Sequence, residues 1–483
     1  MRDSFYFLVA VLLFSSSTRL LFTQKPWGGR VLSGNESVCT RSVFEPYASL
    51  LEPQLIRSSE WRLLCDRSVS HEGTLGRLAS ALQRGILRGE IVVGIAGGSC
   101  SVGTMCDDSV DHRWYRKMKA LLENVLSSRG QKVSVRLVNL SEGGTGADRV
   151  FYCLDEFKDL MNVSTLDVLI LEYAINDPTA IWIELLIRRL PMETGVFFLE
   201  TFSAAPHTQQ RFGTSQIFHD SLARFYDVPV VSARDALWEV FRRQPDVRSA
   251  WLAQDEHHPS CFGHSTLGIF AAELLLRAMK RSATPPSAFG YDGLLDVSDD
   301  KPPQMLESSR PSCMFASVGS ANECGESFDG FNCERLKNPV NRFHEWGGPN
   351  SSWTVNNSRK PSFDCLSSED GELVIPVDCT DAIHGGSRDF CQVVIGFIKS
   401  WKPRGTALVI REDGTNLTID AHEAEWSRQH YTILWYTPVD TDFLKLPTGK
   451  SHLRIACTGL TTASEKSLED QSTLFQLSSV VVL

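Results

Sequence analysis

Residues 90–103 read EIVVGIAGGSCSVG. An apolar run of strand length ends in two glycines, and a serine follows at once. A short continuous apolar run bounded by turn residues reads as a strand covered on both faces. The glycines let the chain turn sharply where the run stops. Ser99 then stands just past the carboxyl end of a buried strand, where open α/β sheets place their chemistry.

The same rhythm continues outward. Further strand-like runs are VSVRLVNL (133–140), LDVLILEYAI (166–175), GVFFLETF (195–202) and VPVVSA (228–233). Helix-like stretches lie between them: 114–129, 148–161, 180–190, 215–226 and 234–243. The most regular helix, GHSTLGIFAAELLLRAMK, covers 263–280. Alternation of this kind predicts a doubly wound parallel sheet.

Three more segments fall where the carboxyl edge of that sheet belongs: NLSEGGTG (139–146), YAINDP (173–178) and DEHHPSCFGH (255–264). As parts they make a hydrolytic site. A serine hydroxyl is a poor nucleophile until a base takes its proton, and His258 is placed to be that base. Asp255, three residues earlier, can bond the other ring nitrogen and fix the tautomer. Donors for a developing oxyanion are the backbone N–H of Ser99, a glycine N–H in EGGTG and the side-chain amide of Asn176.

Plainer readings stand beside these. Serine after glycine is commonly a helix cap. GGSCS ends in Ser101 rather than glycine, so the G-x-S-x-G elbow is incomplete. Cys100 is a weaker nucleophile candidate than Ser99; a disulfide Cys100–Cys106 or Cys106–Cys153 is the bland alternative. Asn176 could close a strand with a turn, and Asp177 reads as a cap for the helix after it. His112, His257 and His264 read as structural. A metal site from His257, His258 and His264 is disfavoured, because adjacent loop histidines rarely converge on one ion without ligands from elsewhere.

In this order the four blocks resemble the SGNH hydrolases, the GDSL-type esterases and lipases. Gly97-Gly98-Ser99 matches the nucleophile block and EGGTG the oxyanion glycine block. Ala174-Ile175-Asn176-Asp177 matches the G-x-N-D block, and Asp255-Glu256-His257-His258 the D-x-x-H block. Gly98 stands where the family usually has Asp, and Ala174 where it commonly has Gly; neither removes a catalytic side chain. The resemblance implies Ser99 as nucleophile and His258 with Asp255 as its base. It implies an oxyanion hole from Ser99, Gly143 and Asn176, with Gly143 preferred to Gly144. It also implies acyl esters as substrates, with no cofactor and no metal.

The rest of the chain bounds the setting. Its 483 residues carry a net charge of −10, which argues against nucleic acid as a partner. Residues 1–24 pair Arg2 with an apolar run from Phe5 to Phe14 and small residues after it. That pattern matches a signal peptide, the alternative being an uncleaved membrane anchor. Thirteen cysteines fit a secretory route, and their odd number leaves at least one unpaired within the chain. N-x-Ser/Thr sequons occur at Asn35, Asn139, Asn162, Asn350, Asn356 and Asn416; a glycan on Asn139 would crowd the site.

Residues 283–312 are rich in Pro, Ser and Asp and read as a linker. From 313 to 483 cysteines, turn signals and short alternating strands replace the βα rhythm. GTALVIREDGTNLTID carries a hairpin signal at Asp413-Gly414. Trp346, Trp353, Trp401, Trp426 and Trp435 suit core packing or a sugar platform.

The expectation is an SGNH-like (flavodoxin-like) three-layer α/β/α domain with a parallel sheet over 88–282. An extension over 25–87 precedes it, and a disulfide-containing β-sandwich-like domain follows. The expected function is a secreted or luminal serine esterase acting on an O-acyl group, such as the O-acetyl group of a glycan. The alternatives are an acyltransferase using the same residues, a non-catalytic glycan- or protein-binding module, and a type II anchored protein of the Golgi or ER lumen.

Overall fold

The computed structural model describes residues 58–106, 112–160, 162–177, 180–204 and 214–282. It also describes residues 312–313, 354–356, 362–365, 372–379, 390–400, 405–421, 432–437, 444–447, 449–459 and 475–482. The signal-like segment, most of the linker and Trp346, Trp353, Trp401 and Trp426 lie outside them.

The βα rhythm becomes a single sheet. Its strands are β1 (Val69–His71), β2 (Glu90–Gly97), β3 (Ser134–Asn139), β4 (Val168–Glu172), β5 (Gly195–Glu200) and β6 (Val230–Ser232), in spatial order β1-β6-β5-β4-β2-β3. β2 through β6 run parallel, in the doubly wound order 2-1-3-4-5. That order reverses direction between β2 and β4, and the crevice at such a switch point is where ligands bind. Ser99 follows β2 and Asn176 follows β4.

Residues 58–87, part of the stretch read from the sequence as an extension, are packed into this layer. They form α1 (Ser58–Ser68), the antiparallel edge strand β1 and α2 (Gly76–Arg88). Trp61, Leu64, Leu78 and Leu82 enter the core beneath the sheet. β1 is three residues long, too short to carry a periodic signal.

Helices cover both faces. On one side lie α4 (Trp114–Ser128), α8 (Ala233–Arg243) and α10 (Cys261–Ser282), with α1 and α2. On the other lie α5 (Ala147–Leu160), α6 (Ile181–Arg189) and α7 (Gln216–Phe225). β2 shows how the two cores divide: Ile91, Val93 and Ile95 enter the first, Val92 and Ala96 the second. This is the two-residue alternation of a strand buried on both faces. Two short helices, α3 (Ser99–Val102) and α9 (Pro245–Trp251), flank the carboxyl edge.

Beyond residue 312 the described strands are antiparallel. β10 (Glu372–Asp378), β16 (Lys450–Gly459), β12 (Thr406–Arg411) and β13 (Asn416–Asp420) form one sheet. β14 (Thr432–Tyr436), β11 (Phe390–Ser400), β17 (Phe475–Val482), β9 (Ser362–Cys365) and β8 (Thr354–Asn356) form the path of the other. β7 (Ser312–Cys313) pairs with β17, and β15 (Lys445–Pro447) with β11. One core joins the two sheets through Leu373, Ile375, Val393, Ile395, Val409 and Ile455. Cys365–Cys457 crosslinks strands of opposite sheets, and Cys379–Cys391 closes a local loop. β12 and β13 make the expected hairpin, with Gly414 at φ +83° in its turn. β11 alternates too: Val394 and Ile398 leave the sandwich core and join the one formed by α5 and α6.

Candidate active site

β2 ends at Gly97, and after Gly98 the chain enters α3 with Ser99 as its first residue. The Ser101 and Val102 N–H groups donate to Gly98 O, and those of Gly103 and Thr104 to Ser99 O. This single turn sorts three adjacent nucleophile-bearing residues. Ser99 keeps partial exposure, while Cys100 and Ser101 are fully buried.

The Ser99 hydroxyl lies 2.8 Å from His258 Nε2. His258 Nδ1 lies 2.6 Å from Asp255 Oδ2. Asp255 Oδ1 accepts the backbone N–H groups of His257 and His258, both at 3.0 Å. Burial works against the Asp255 charge, but these hydrogen bonds outweigh it and hold its carboxyl below the usual carboxylate range. Three side chains separated by up to 159 positions thus form one continuous chain.

The oxyanion candidates converge from the opposite side. Gly143 lies against Ser99: a Cβ built on it would sit 3.8 Å from Ser99 Cβ. Gly144 takes a φ of +71° and turns the loop. The loop is held from below, where Glu142 N–H donates to Gly97 O and Thr145 Oγ1 to Glu142 O. Buried Glu142 and Arg149 pair at 2.5 Å. The Asn176 amide stands over Gly98, where an added Cβ would meet Oδ1, Cγ and Nδ2 at 2.4–2.9 Å. A side chain at 98 would push this amide out of place, which is the reason for glycine there.

Several plainer readings are now settled by position. Ser101 donates to Glu172 Oε2 at 3.0 Å and accepts from Trp114 Nε1 at 3.2 Å, facing the core. Burial raises the Cys100 thiol well above its ordinary value, and Glu172 adds to the rise. Cys100 is unpaired; Cys106 bonds Cys261 instead of Cys100 or Cys153. Cys65 and Cys153 are also disulfide-bonded. Asp177 Oδ2 accepts the Ala147 N–H at the start of α5, at 3.4 Å.

His257 Nδ1 lies 3.0 Å from Ser203 Oγ, tying the loop after β5 to the Asp255–His258 loop. His264 is fully buried in α10, and burial pushes its pKa down to about 3. Among the described residues one group of potential metal ligands converges, Cys106, His112 and Cys261, and two of the three are joined as a disulfide. Asn139 is 4% exposed, with Nδ2 donating to Tyr115 Oη and Oδ1 accepting Ser141 N–H.

The sequence reading missed a polar layer beneath the site. Glu172, last in β4, accepts from Ser101 and Thr201, and burial pushes its carboxyl up to about 7. Glu200, last in β5, lies 3.0 Å from His219 Nδ1, both wholly buried. Burial opposes the charged form of His219, but Glu200 prevails and its pKa is raised. The signal was a carboxylate ending each of two apolar strands.

No family model matches the chain, and no curated protein matches it. Among solved structures, two of a two-domain esterase active on acetylated mannans, one co-crystallised with mannopentaose, each match 86% of this chain and 97% of theirs. The TM-score is 0.52 for each, at 15% and 16% identity, a likeness of fold. The doubly wound sheet, its covering helices and the antiparallel second domain all accord with it. The chain shares the fold of that two-domain esterase.

Proposed function

We propose that this protein is a serine esterase that releases O-acyl groups, O-acetyl groups of a glycan in the first instance. One observation carries the reading: the unbroken line from Ser99 Oγ to His258 Nε2 at 2.8 Å and from His258 Nδ1 to Asp255 at 2.6 Å. Ser99 attacks the ester carbonyl as His258 takes its proton. Asp255 holds the ring in the productive tautomer and faces the charge that forms on it. The Ser99 and Gly143 N–H groups and the Asn176 amide stabilise the tetrahedral oxyanion. His258 then gives the proton to the departing alcohol, and water activated by His258 frees Ser99. A sugar hydroxyl in place of that water would make the same residues an acyltransferase.

The glycan substrate is supported by the solved two-domain esterase active on acetylated mannans, which this chain matches across both of its domains. Disulfides in both parts of the chain support a secretory destination. No helix among the described residues is long and apolar enough to cross a membrane.

The test is covalent. A fluorophosphonate probe is expected to label the folded protein, and Ser99→Ala is expected to abolish labelling. Acetate release from acetylated oligosaccharide should fall at least a thousandfold in His258→Ala. Absence of labelling in correctly folded protein would remove the enzyme reading and leave a binding module.

A further inference from the structure

The loop that carries Asp255 and His258 has a second face. Ala253 N–H donates to His258 O and Glu256 N–H to Ala253 O, both at 2.9 Å, so residues 253–258 form a tight reversal. It presents His258 to Ser99. With α9 it also walls an open cleft of about 620 Å³ lined by Met105, Arg248, Ser249, Leu252, Gln254 and Glu256. Met105 joins this lining from a distant stretch of the chain. It stands just beyond the turn whose N–H groups bond Ser99 O, so the cleft reaches from the nucleophile's own loop to the base's loop.

Acyl-transfer chemistry says which half of the substrate this side receives. As the Ser99 Oγ–carbonyl bond forms and the ester C–O bond breaks, the proton on His258 passes to the departing alcohol oxygen. That oxygen must therefore lie at His258 Nε2. The oxyanion candidates, Gly143 and Asn176, come from the loops after β3 and β4 and define the carbonyl side. The alcohol half extends toward the Asp255–His258 loop, whose Gln254 and Glu256 line the cleft.

The lining says what kind of alcohol fits. Arg248 and Glu256 pair at 2.9 Å, so the cleft offers no uncompensated charge. Arg248 Nη2 also holds Ala204 O, while its buried Nε has no hydrogen-bond partner. Gln254, Ser249 and the 43% exposed Glu256 carboxylate supply donors and acceptors. Met105, 43% exposed, supplies apolar surface, over a buried Leu252. Paired polar groups around a small apolar surface suit a ring with hydroxyls at its rim and C–H groups on its face. The volume lies within the range of small-molecule sites, about 300–1,000 Å³.

We infer that this cleft is the leaving-group subsite, and that it takes a neutral polyhydroxylated alcohol, a sugar unit of an uncharged oligosaccharide. The inference rests on the esterase reading and adds to it the residues that select the alcohol.

The experiment separates the two. Ser249→Trp fills the cleft and Gln254→Ala strips a polar group from it. Wild type and both variants are assayed on O-acetylated neutral pentasaccharides of mannose, xylose and glucose, and on p-nitrophenyl acetate, whose small alcohol does not need the cleft. Each variant is expected to lose at least tenfold in kcat/KM on the pentasaccharides, mainly through KM, and to stay within twofold on p-nitrophenyl acetate. Parallel losses on both substrates, or none, overturn the subsite and leave the esterase standing. In parallel, Ser99→Ala protein is titrated calorimetrically with the unesterified pentasaccharides and with pentagalacturonate, with and without Ser249→Trp. Binding of the neutral sugars that Ser249→Trp abolishes supports the subsite even where no ester is turned over. Binding that survives Ser249→Trp, that is confined to the anionic sugar, or that is absent overturns it.

Discussion

Cutting the Cys106–Cys261 disulfide should damage the fold and the site together. The bond joins residues 155 apart in sequence. In the chain-entropy account a loop of that length restricts the unfolded chain by roughly 5 kcal/mol, and removal of native disulfides typically costs about 2–5 kcal/mol. A loss near 3 kcal/mol lowers Tm by roughly 6–12 °C for a unit of this size. Locally the bond does more. Cys106 ends the turn that begins at Ser99, through Gly103 and Thr104 N–H to Ser99 O and Cys106 N–H to Gly103 O, each at 3.1 Å. Cys261 begins α10, three residues after His258. Ser99 and His258, the proposed nucleophile and base, therefore sit in one small ring, covalent through the disulfide and closed by their own hydrogen bond. A displacement of about 1 Å at such a pair costs up to about a hundredfold in rate. The Cys106→Ser/Cys261→Ser double variant, compared with a Cys365→Ser/Cys457→Ser control, should show the lower Tm by calorimetry of the α/β unit. At 25 °C, still folded, it should react with a fluorophosphonate about tenfold more slowly, while the control keeps the wild-type rate. A double variant that labels within twofold of wild type would refute the positioning role. An unchanged Tm would refute the crosslink's share in stability.

Other expectations follow from the same geometry. Asn176→Ala, with folding intact by circular dichroism, should lower kcat about 10²–10³-fold, as loss of one oxyanion donor does; an unchanged kcat would take Asn176 out of the hole. Glu172, pushed up to about 7 by burial, keeps its proton in the fold over a range where the unfolded chain, with a pKa near ~4.3, has lost it. Stability should therefore fall as pH rises through that window, by about 4 kcal/mol in full, and Glu172→Gln should flatten the urea midpoint against pH; a slope equal to wild type would show the charge is accommodated. Asn139, buried and hydrogen-bonded on both amide atoms, should carry no glycan in peptide mass spectra of secreted protein, whereas exposed Asn416 at the start of β13 is open to modification.

The sheet was legible because each parallel strand is an uninterrupted apolar run, and its partners are fixed by the helices between. β2 matches the run at 90–97, and β3 to β6 lie within the runs at 133–140, 166–175, 195–202 and 228–233. The N-terminal edge escaped because β1 is three residues long and partly exposed, and pairs antiparallel with a strand some 160 positions away. What places it is tertiary: Trp61 and Leu64 of α1 fill the core beside α8 and α10. Cys106 pairs with Cys261 for the same reason. Cys100 lies in α3 and faces the core, whereas Cys106 lies past the end of α3 and bonds Cys261 at the start of α10.

The sequence favours Ser99 over Cys100 and Ser101, and the fold supplies the physical reason. All three lie past the end of β2, and a thiol is intrinsically the better nucleophile. In the fold, each residue of the turn rotates about 100° from the last. Only one of three successive side chains can then face the crevice between β2 and β4. Cys100 faces a medium that includes the Glu172 carboxyl and disfavours a thiolate. Ser101 spends its hydroxyl on Glu172 and Trp114, fastening α3 to the end of β4. That fastening sets the direction of Ser99, and the Asp255–His258 loop completes it from 159 positions away. Buried Glu172 and Ser101 are thus the reason Ser99 points toward His258.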